Sequence, residues 1–533
     1  MATERKFENS GSNPVDGSFT FDGRFTGNAF ADFLLGLASS YTEDQVDVNL
    51  DLRYNTYEFY AQDSWKVRPN LTLDFGVRFS MFGNPVDKNN LLQTFRPDLY
   101  RPERAVRLDS RGFIIPGSGD RFNGMIFAGE NSPFGRRIQE NNFDLVGPRF
   151  GFAWDPSGRG KAVLRGGYGI YYDRSLTGIV LQNGFVNPKA NTRVTIDNAL
   201  LSNPAAGVTR ETILPISLLT TGYPFRAPTM QQWNLSYQRE LLPNVLFEIG
   251  YVGSGGNNLL RLININQPRP LEANRVGGVI NLVRPYLGYA LIQERQTTGI
   301  SRYHSLQMSL QKRLSRGVQI GGVYTWGKNM TNASTDRSDA PQDSLNIRAE
   351  RAPSSFQRQH VLTINYIWEL PALREAHPLV RALFGGWQLS GITTFWSGLP
   401  FTVVQSGDTL LVGPFPAGGA TRPDLLANPR LPKGQRTAAR WFNTDAFRRA
   451  TTTFGTAGRN IIRAAGVNNW DISVMKNFAL TEQVRLQFRS EFFNAFNHTQ
   501  LGAPDATLGV AGFGSISSAR DPRIVQFGLK LSF

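Results

Sequence analysis

Residues 54–81 read "YNTYEFYAQDSWKV–RPN–LTLDFGVRFSM" and constrain this chain more than any other stretch. Two long runs alternate apolar and polar residues and are joined by a tight turn. In the first run Tyr57, Phe59, Ala61, Trp65 and Val67 share one face, opposite Glu58, Gln62, Ser64 and Lys66. Asp63 falls on the apolar face, near the strand end, where an ion costs least. In the second, Leu71, Leu73, Phe75, Val77, Phe79 and Met81 oppose Thr72, Asp74, Gly76, Arg78 and Ser80. Unbroken alternation over about 11 residues matches a tilted strand crossing a bilayer. Soluble sandwich strands average about 5 to 6 residues.

The pattern recurs in pairs. "RFGFAWD" turns through "PSGRGK" into "AVLRGGYGIYYD", and "WNLSYQREL" through "LPN" into "VLFEIGYVG". "HSLQMSLQKRL" turns into "VQIGGVYTWG", "HVLTINYIWEL" leads to "GGWQLSGITTFW", and "NWDISVMKNF" to "VRLQFRSEFFNAF". Between the hairpins lie long segments rich in Gly, Pro, Asn and Arg, at roughly 83–142, 174–230, 256–302, 328–358, 398–467 and 496–522. Short turns thus alternate with long loops, the plan of an outer-membrane barrel with periplasmic turns at one rim and extracellular loops at the other. Six hairpins, a strand at 43–50 and the terminal strand 523–533 give an expected count of about fourteen. The fold class expected is all-β: a transmembrane antiparallel barrel over 41–533, entered through a loop and short helical segment at 1–40.

The terminal "IVQFGLKLSF" places Val525, Phe527, Leu529, Leu531 and Phe533 on the lipid side and Ile524, Gln526, Gly528, Lys530 and Ser532 inside. It is expected to close the cylinder against the first strand, since an open edge leaves backbone groups unpaired in hydrocarbon. By the same parity Asp74, Arg78, Arg485, Arg489 and Glu491 face the lumen with Lys530. There they pair with one another or a plug, or line a route for a polar or anionic solute. Substrate contacts are expected in the long loops.

Composition removes other classes. The chain has no cysteine, which excludes disulfides and thiolate metal sites, and its four histidines are far apart in sequence. No apolar run reaches the about 18 to 20 residues of a membrane helix. The first 18 residues carry acids and no apolar core, unlike a signal peptide. Net charge is +15, but the cations are spread singly, which suits a solvated surface or lumen better than a nucleic-acid patch. Gly160-Lys161 is followed by Ala rather than Ser or Thr, so it is a turn and not a phosphate loop. "GSGGNN" at 253–258 lacks the helix and acid of a dinucleotide site. Nothing resembles a nucleophile elbow. Neither an enzymatic activity nor a cofactor is expected.

"YAQDSWKVRPNLTLDFGVRFS", "GPRFGFAWDPSGRGKAVLRGGYGIYYD", "GGWQLSGITTFWSGLPFTV" and "NNWDISVMKNFALTEQVRLQFRSEFFNAFNHTQLG" resemble the barrel segments of TonB-dependent outer-membrane transporters, more narrowly their Oar-like branch. The resemblance runs from "FTGNAFADFLLG" to Phe533 and is most specific at the terminal segment. It implies an outer-membrane location and assembly by the barrel-assembly machinery. It also implies a barrel of about 22 strands around a plug, and energy coupling through a TonB-type protein. The family's plug and leading segments have no counterpart here, so the chain is expected to be the C-terminal part of such a barrel. Alternatives are a passive porin-like channel, a structural outer-membrane protein, or a soluble β-rich adhesin. The substrate stays open.

Overall fold

The computed structural model describes residues 2–9, 16–44, 48–174, 177–185, 187–188, 193–206, 213–337, 339–373, 375–416, 418–481 and 483–533. Among these residues fourteen long strands run antiparallel through one sheet, to which the short strands Val86–Asp87, Ile216–Thr221 (parallel) and Ala352–Pro353 are added. The fourteen begin with β1 (Ala2–Asn9), β2 (Asn49–Arg68), β3 (Leu71–Phe82), β4 (Asn142–Trp154), β5 (Ala162–Tyr172), β6 (Thr229–Leu242) and β7 (Val245–Asn264). After them come β8 (Tyr289–Ser315), β9 (Val318–Thr331), β10 (His360–Glu369), β11 (Trp387–Trp396), β12 (Val467–Ala479), β13 (Arg485–Phe493) and β14 (Ile524–Ser532). Each strand pairs with the next in sequence. No helix is long and apolar enough to cross a membrane, which says nothing of crossing by strands.

Local chemistry sets the hairpins. In the turn between β8 and β9, Arg316 (φ 51°) and Gly317 (φ 74°) are both left-handed, the two-residue geometry that matches strand twist. Asn244 (φ 68°) serves the β6–β7 turn. Cross-strand register keeps the two faces separate. Phe59 lies opposite Phe79 and Ala61 opposite Val77, while Glu58 lies opposite Ser80 and Ser64 opposite Asp74.

The polar face is the concave one. Gln62, Asp74, Arg78, Arg149, Gln232 and Asn234, from β2 to β6, line a single cavity of about 810 Å³. The apolar face carries an aromatic belt at each rim. Toward the long loops, Trp233 donates to Tyr251 (3.3 Å), whose hydroxyl meets His304 Nδ1 at 2.6 Å. Trp326 stacks on His360 with centroids 6.3 Å apart, and Trp470 meets Phe395 and Phe496 edge-on. Toward the short turns, Trp65, Trp154 and Trp368 stand exposed. From His360 to Trp368 is eight residues, roughly 26 Å along the strand and roughly 20 Å at a tilt near 40°. Such girdles, on either side of an apolar band about 25 Å tall, mark a transmembrane barrel.

Three expectations change. The fourteenth strand is not 43–50. Residues 45–47 of that stretch lie outside the described residues, Glu43 and Asp44 belong to a small sheet with Ser18–Thr20 and Arg193–Asp197, and Asn49 opens β2. The place is taken by β1, from the 1–40 segment, which also holds helix α1 (Ala29–Leu34). Second, β14 pairs with β13 alone among the described residues, and all nine of its residues are exposed. The sheet is an open arc. β1 matches only Asn49–Thr56 of β2, so Tyr57–Arg68 form a second free edge. The physical reason is geometric: closing a cylinder needs strand number, tilt and stagger to agree, and here β14 and Tyr57–Arg68 are not brought into register with each other. Third, β7 and β8 run far past the girdle into what reads as loop.

The long connections are not loose. Helix α2 (Thr177–Phe185) contributes Val180 and Leu181 to a cluster with Leu50, Leu52, Leu92 and Ile126. Phe95, Tyr100, Met125, Phe127, Leu218, Tyr289 and Ile292 form a second cluster, and Val403, Phe442, Phe447 and Ile462 anchor a third. Together they build a folded cap above the arc.

Candidate functional site

Two groups of polar residues stand on the concave wall. On β2 and β3 the Arg78 guanidinium pairs with Glu58 through both Nε (3.0 Å) and Nη2 (2.5 Å), and Ser80 donates to the same carboxylate (3.0 Å). Asp74 lies on the same face, opposite Ser64 and Gly151. Arg149 stacks over Tyr171 at 4.6 Å and Arg165 donates to Gln238 at 3.0 Å. Glycine opposes the long side chains in this wall, with Arg78 against Gly147 and Arg149 against Gly169, which leaves room for the cavity.

On β13 and β14, Arg489 reaches Glu491 (3.6 Å) and donates to Gln487 (3.1 Å), which donates to Asn477 (3.0 Å). Lys530 lies opposite Gln487, Arg485 opposite Ser532, and Glu491 opposite Gln526. Every lumen candidate from the sequence therefore shares one face. The structure does not gather them, because one group sits near one end of the arc and the other at its opposite end. Val525, Phe527, Leu529 and Leu531 occupy the apolar face of β14 opposite Phe492, Ser490, Phe488 and Leu486. Phe533, just beyond the strand, is almost wholly exposed.

The residues that sequence reasoning missed lie in the cap. A chamber of about 960 Å³ opens between connections on the long-loop side, walled by Tyr223, Ile263, Tyr286, Arg269, Glu294 and Gln296 among others. Arg96 lies flat over the Tyr223 ring at 3.9 Å while binding Asp98 at 2.8 Å, and the Tyr223 hydroxyl donates to Glu140 (2.6 Å). Glu294 is buried and accepts from Gln296 (2.7 Å), and desolvation pushes its carboxyl above the usual range. The chamber offers aromatic faces, cations and one acid of raised basicity, which suits a polar solute with apolar parts. A signal was present: "YALIQERQ" sets Leu291 beside Ile292, and both are buried because the cap covers both faces of β8.

Beneath the chamber a charge network fixes the cap. Arg422 clamps Glu350 through two bonds of 2.7 and 2.9 Å. Arg459 binds Asp339 (2.6 Å), the Glu350 carbonyl (3.0 Å) and the Thr331 carbonyl (2.7 Å). Arg261 is fully buried without a hydrogen-bond partner among the described residues, and desolvation lowers the pKa of its guanidinium to about 10. Among the described residues no group of three or more histidines and carboxylates is placed to hold a metal.

Comparison with solved structures finds the siderophore receptor PiuA from Acinetobacter baumannii, at 9% identity and TM-score 0.40, over 91% of this chain and 45% of that one. The outer membrane transporter YddB from Escherichia coli matches at 11% identity and TM-score 0.42, over 91% and 55%. The ferric yersiniabactin uptake receptor FyuA from Yersinia pestis matches at 9% and 0.41, over 93% and 47%. The chain thus spans about half the length of these proteins. No curated protein matches it. The family model described as outer membrane beta barrel domain matches residues 1–526, and with alternating strands, a polar concave wall and two aromatic girdles, the chain belongs to that family of outer-membrane barrels.

Proposed function

We propose that this chain is the greater part of the barrel of an energy-coupled, TonB-dependent receptor of the Oar-like kind, which takes up a large or scarce polar solute. The observation that carries the reading is the open arc below a folded cap. A passive fourteen-strand pore needs β14 paired with the first strand, yet the edge of β14 and the Tyr57–Arg68 edge of β2 are free among the described residues. Each unpaired backbone group costs several kcal/mol in hydrocarbon, so further strands, from this polypeptide or another, complete the cylinder. A cylinder of about 22 strands has room for a plug. The cap chamber is then the first contact for solute, and the polar walls at Arg78 and Arg489 face the plug or the route past it. Outer-membrane lipid, the barrel-assembly machinery and, through the plug, a TonB-type protein are the partners of this reading.

Two observations test it. The DNA upstream of the codon for Met1 should encode more alternating strands, a plug and a signal peptide, in frame or after a frameshift, unless the contig ends there. In planar bilayers the chain alone should give no uniform channel. An intact upstream promoter together with a steady, single-size conductance would instead establish the passive pore.

A further inference from the structure

Most connections on the short-turn rim are tight, but residues 370–386, between β10 and β11, contain helix α3 (Pro378–Phe384). Pro378 opens it, the His377 imidazole accepts the Leu379 amide at 3.4 Å, and Gly385 N–H closes it on the Arg381 carbonyl at 3.0 Å. Seven residues do not hold a helix in water by themselves. This one is fastened to the barrel. Trp387 Nε1 donates to the Leu383 carbonyl (2.8 Å) and Lys476 Nζ to the Gly385 carbonyl (2.9 Å). Trp387 and Lys476 oppose each other in the β11–β12 register and share the parity of Leu389, Val474 and Phe478, the apolar outer set. The Lys476 ammonium lies 5.1 Å from the Trp387 ring and 5.2 Å from that of Phe478, and the residue is only 3% exposed. The helix therefore hangs on the lipid-facing wall and not in the lumen.

All seven of its residues are exposed, and all but Arg381 are apolar. Leu379 is 67%, Leu383 62%, Phe384 66% and Val380 41% exposed. At 100° per residue these four span roughly 140° of the helix, with Arg381 outside that arc. The patch continues the apolar outer wall at the level of the lower girdle, beside Trp368 and Phe478. We propose that α3 is an interfacial anchor. It lies in the headgroup–acyl boundary of the inner leaflet, with Leu379, Leu383 and Phe384 among glycerophospholipid chains. Lys476 is the clasp that ties it to the wall, its charge met by the helix's terminal carbonyls and two aromatic faces. Continuity with the wall selects lipid as the occupant. The proposal rests on the outer-membrane location and is independent of what the barrel transports.

The absence of cysteine allows single labels in the full chain. Environment-sensitive fluorophores are placed at Leu379→Cys, Phe384→Cys, Arg381→Cys and, on the wall, Leu529→Cys. Each protein is refolded into phosphatidylethanolamine–phosphatidylglycerol vesicles and isolated by flotation. Lipid carrying a nitroxide near the headgroup should quench the Leu379 and Phe384 labels about twofold or more, and aqueous iodide should quench Arg381 best. Quenching at Leu529 but not at Leu379 or Phe384 overturns the anchor alone. Quenching at none of the four overturns the membrane placement with it. Shielding of the α3 labels in native outer membranes but not in vesicles would assign the face to a protein and overturn the lipid proposal. Lys476→Met keeps an apolar wall, and it should raise the mobility of a spin label at 384 while insertion is retained. Unchanged mobility would refute the clasp.

Discussion

Leu310 and Gln311 are neighbours on β8, and the register sends them to opposite faces. Leu310 lies opposite Phe247 and Gly322, Gln311 opposite Leu246 and Gly321. The depth of Leu310 follows from the girdles. The Trp326–His360 pair marks the upper rim and Trp368, opposite Val318, the lower one. Halfway between them on β9 and β10 are Gly322 and Ile364, and Leu310 stands in that row. It is thus within a few ångströms of the midplane. Arginine there should cost about 2 to 4 kcal/mol, which is roughly a 30- to 700-fold loss in the folding equilibrium. Gln311→Arg adds a cation to a wetted wall and should cost well under 1 kcal/mol. Equilibrium unfolding by guanidinium in lipid vesicles, followed by tryptophan emission, reads both variants against the parent. Equal midpoints for the two would refute the assignment of faces, and a larger loss for Gln311→Arg would invert it.

Other outcomes follow from particular groups. Leu529→Arg should cost nearly as much as Leu310→Arg, whereas Leu486, close to the 480–484 turn, should tolerate arginine better; vesicle folding yields compare them. Phe533→Asp, in a chain expressed behind a signal peptide, should lower surface assembly and leave misfolded protein in the periplasm, read by heat-modifiable mobility and surface labelling. Undiminished assembly removes the terminal strand as a signal. Glu350→Ala strands Arg422 in a dry site, a loss of about 3 to 5 kcal/mol that should open the cap to protease while the strands stay protected. Burial raises the folded-state pKa of Glu294, so its contribution is favourable at low pH and is lost as pH rises above the ordinary carboxyl value of 4.5. Cap stability of the parent should fall across that window, and Glu294→Gln should flatten this part of the profile in a thermal scan.

Much of the wall was legible because one physical rule governs it. Lipid outside and water inside impose period 2, and from Leu71 to Met81 or from Val525 to Leu531 the side chains obey it. The rule fails where its cause stops. In β8 above His304 the cap buries both faces, so Leu291 and Ile292 are both apolar and the strand reads as loop. In β1, "ATERKFEN" carries one large apolar residue, Phe7, and the remaining signal is charge. It joins the sheet through backbone pairing and through Arg5 on Asp51 at 2.7 Å, a partner 46 residues away. The cap chamber was illegible for a different reason. Its walls meet only after folding, as when Arg96 comes over the Tyr223 ring at 3.9 Å, and no local pattern encodes that meeting.

The two free edges bear on the lumen charges as well. On a closed fourteen-strand cylinder β14 would sit beside β2, setting Lys530, Arg485, Arg489 and Glu491 nearer the Arg78–Glu58 pair on one lumen wall. Three cations and one carboxylate would then share the neighbourhood of that satisfied ion pair, an excess of two positive charges, and like charges brought closer raise the cost of closure. In the arc Glu58 serves Arg78 and Glu491 serves Arg489, and the further cations of the second group, Arg485 and Lys530, stand at the opposite end from Arg78. Strands inserted between the ends would keep the groups apart, each facing its own side of a wide lumen. Separation of like charges and unpaired edges therefore point the same way, toward a wall built for a larger cylinder. The decisive measurement is a cross-link between cysteines placed at Gln526 and Gln62 in the membrane-inserted chain. Ready disulfide formation would mean that the edges meet and that the charges are shared after all.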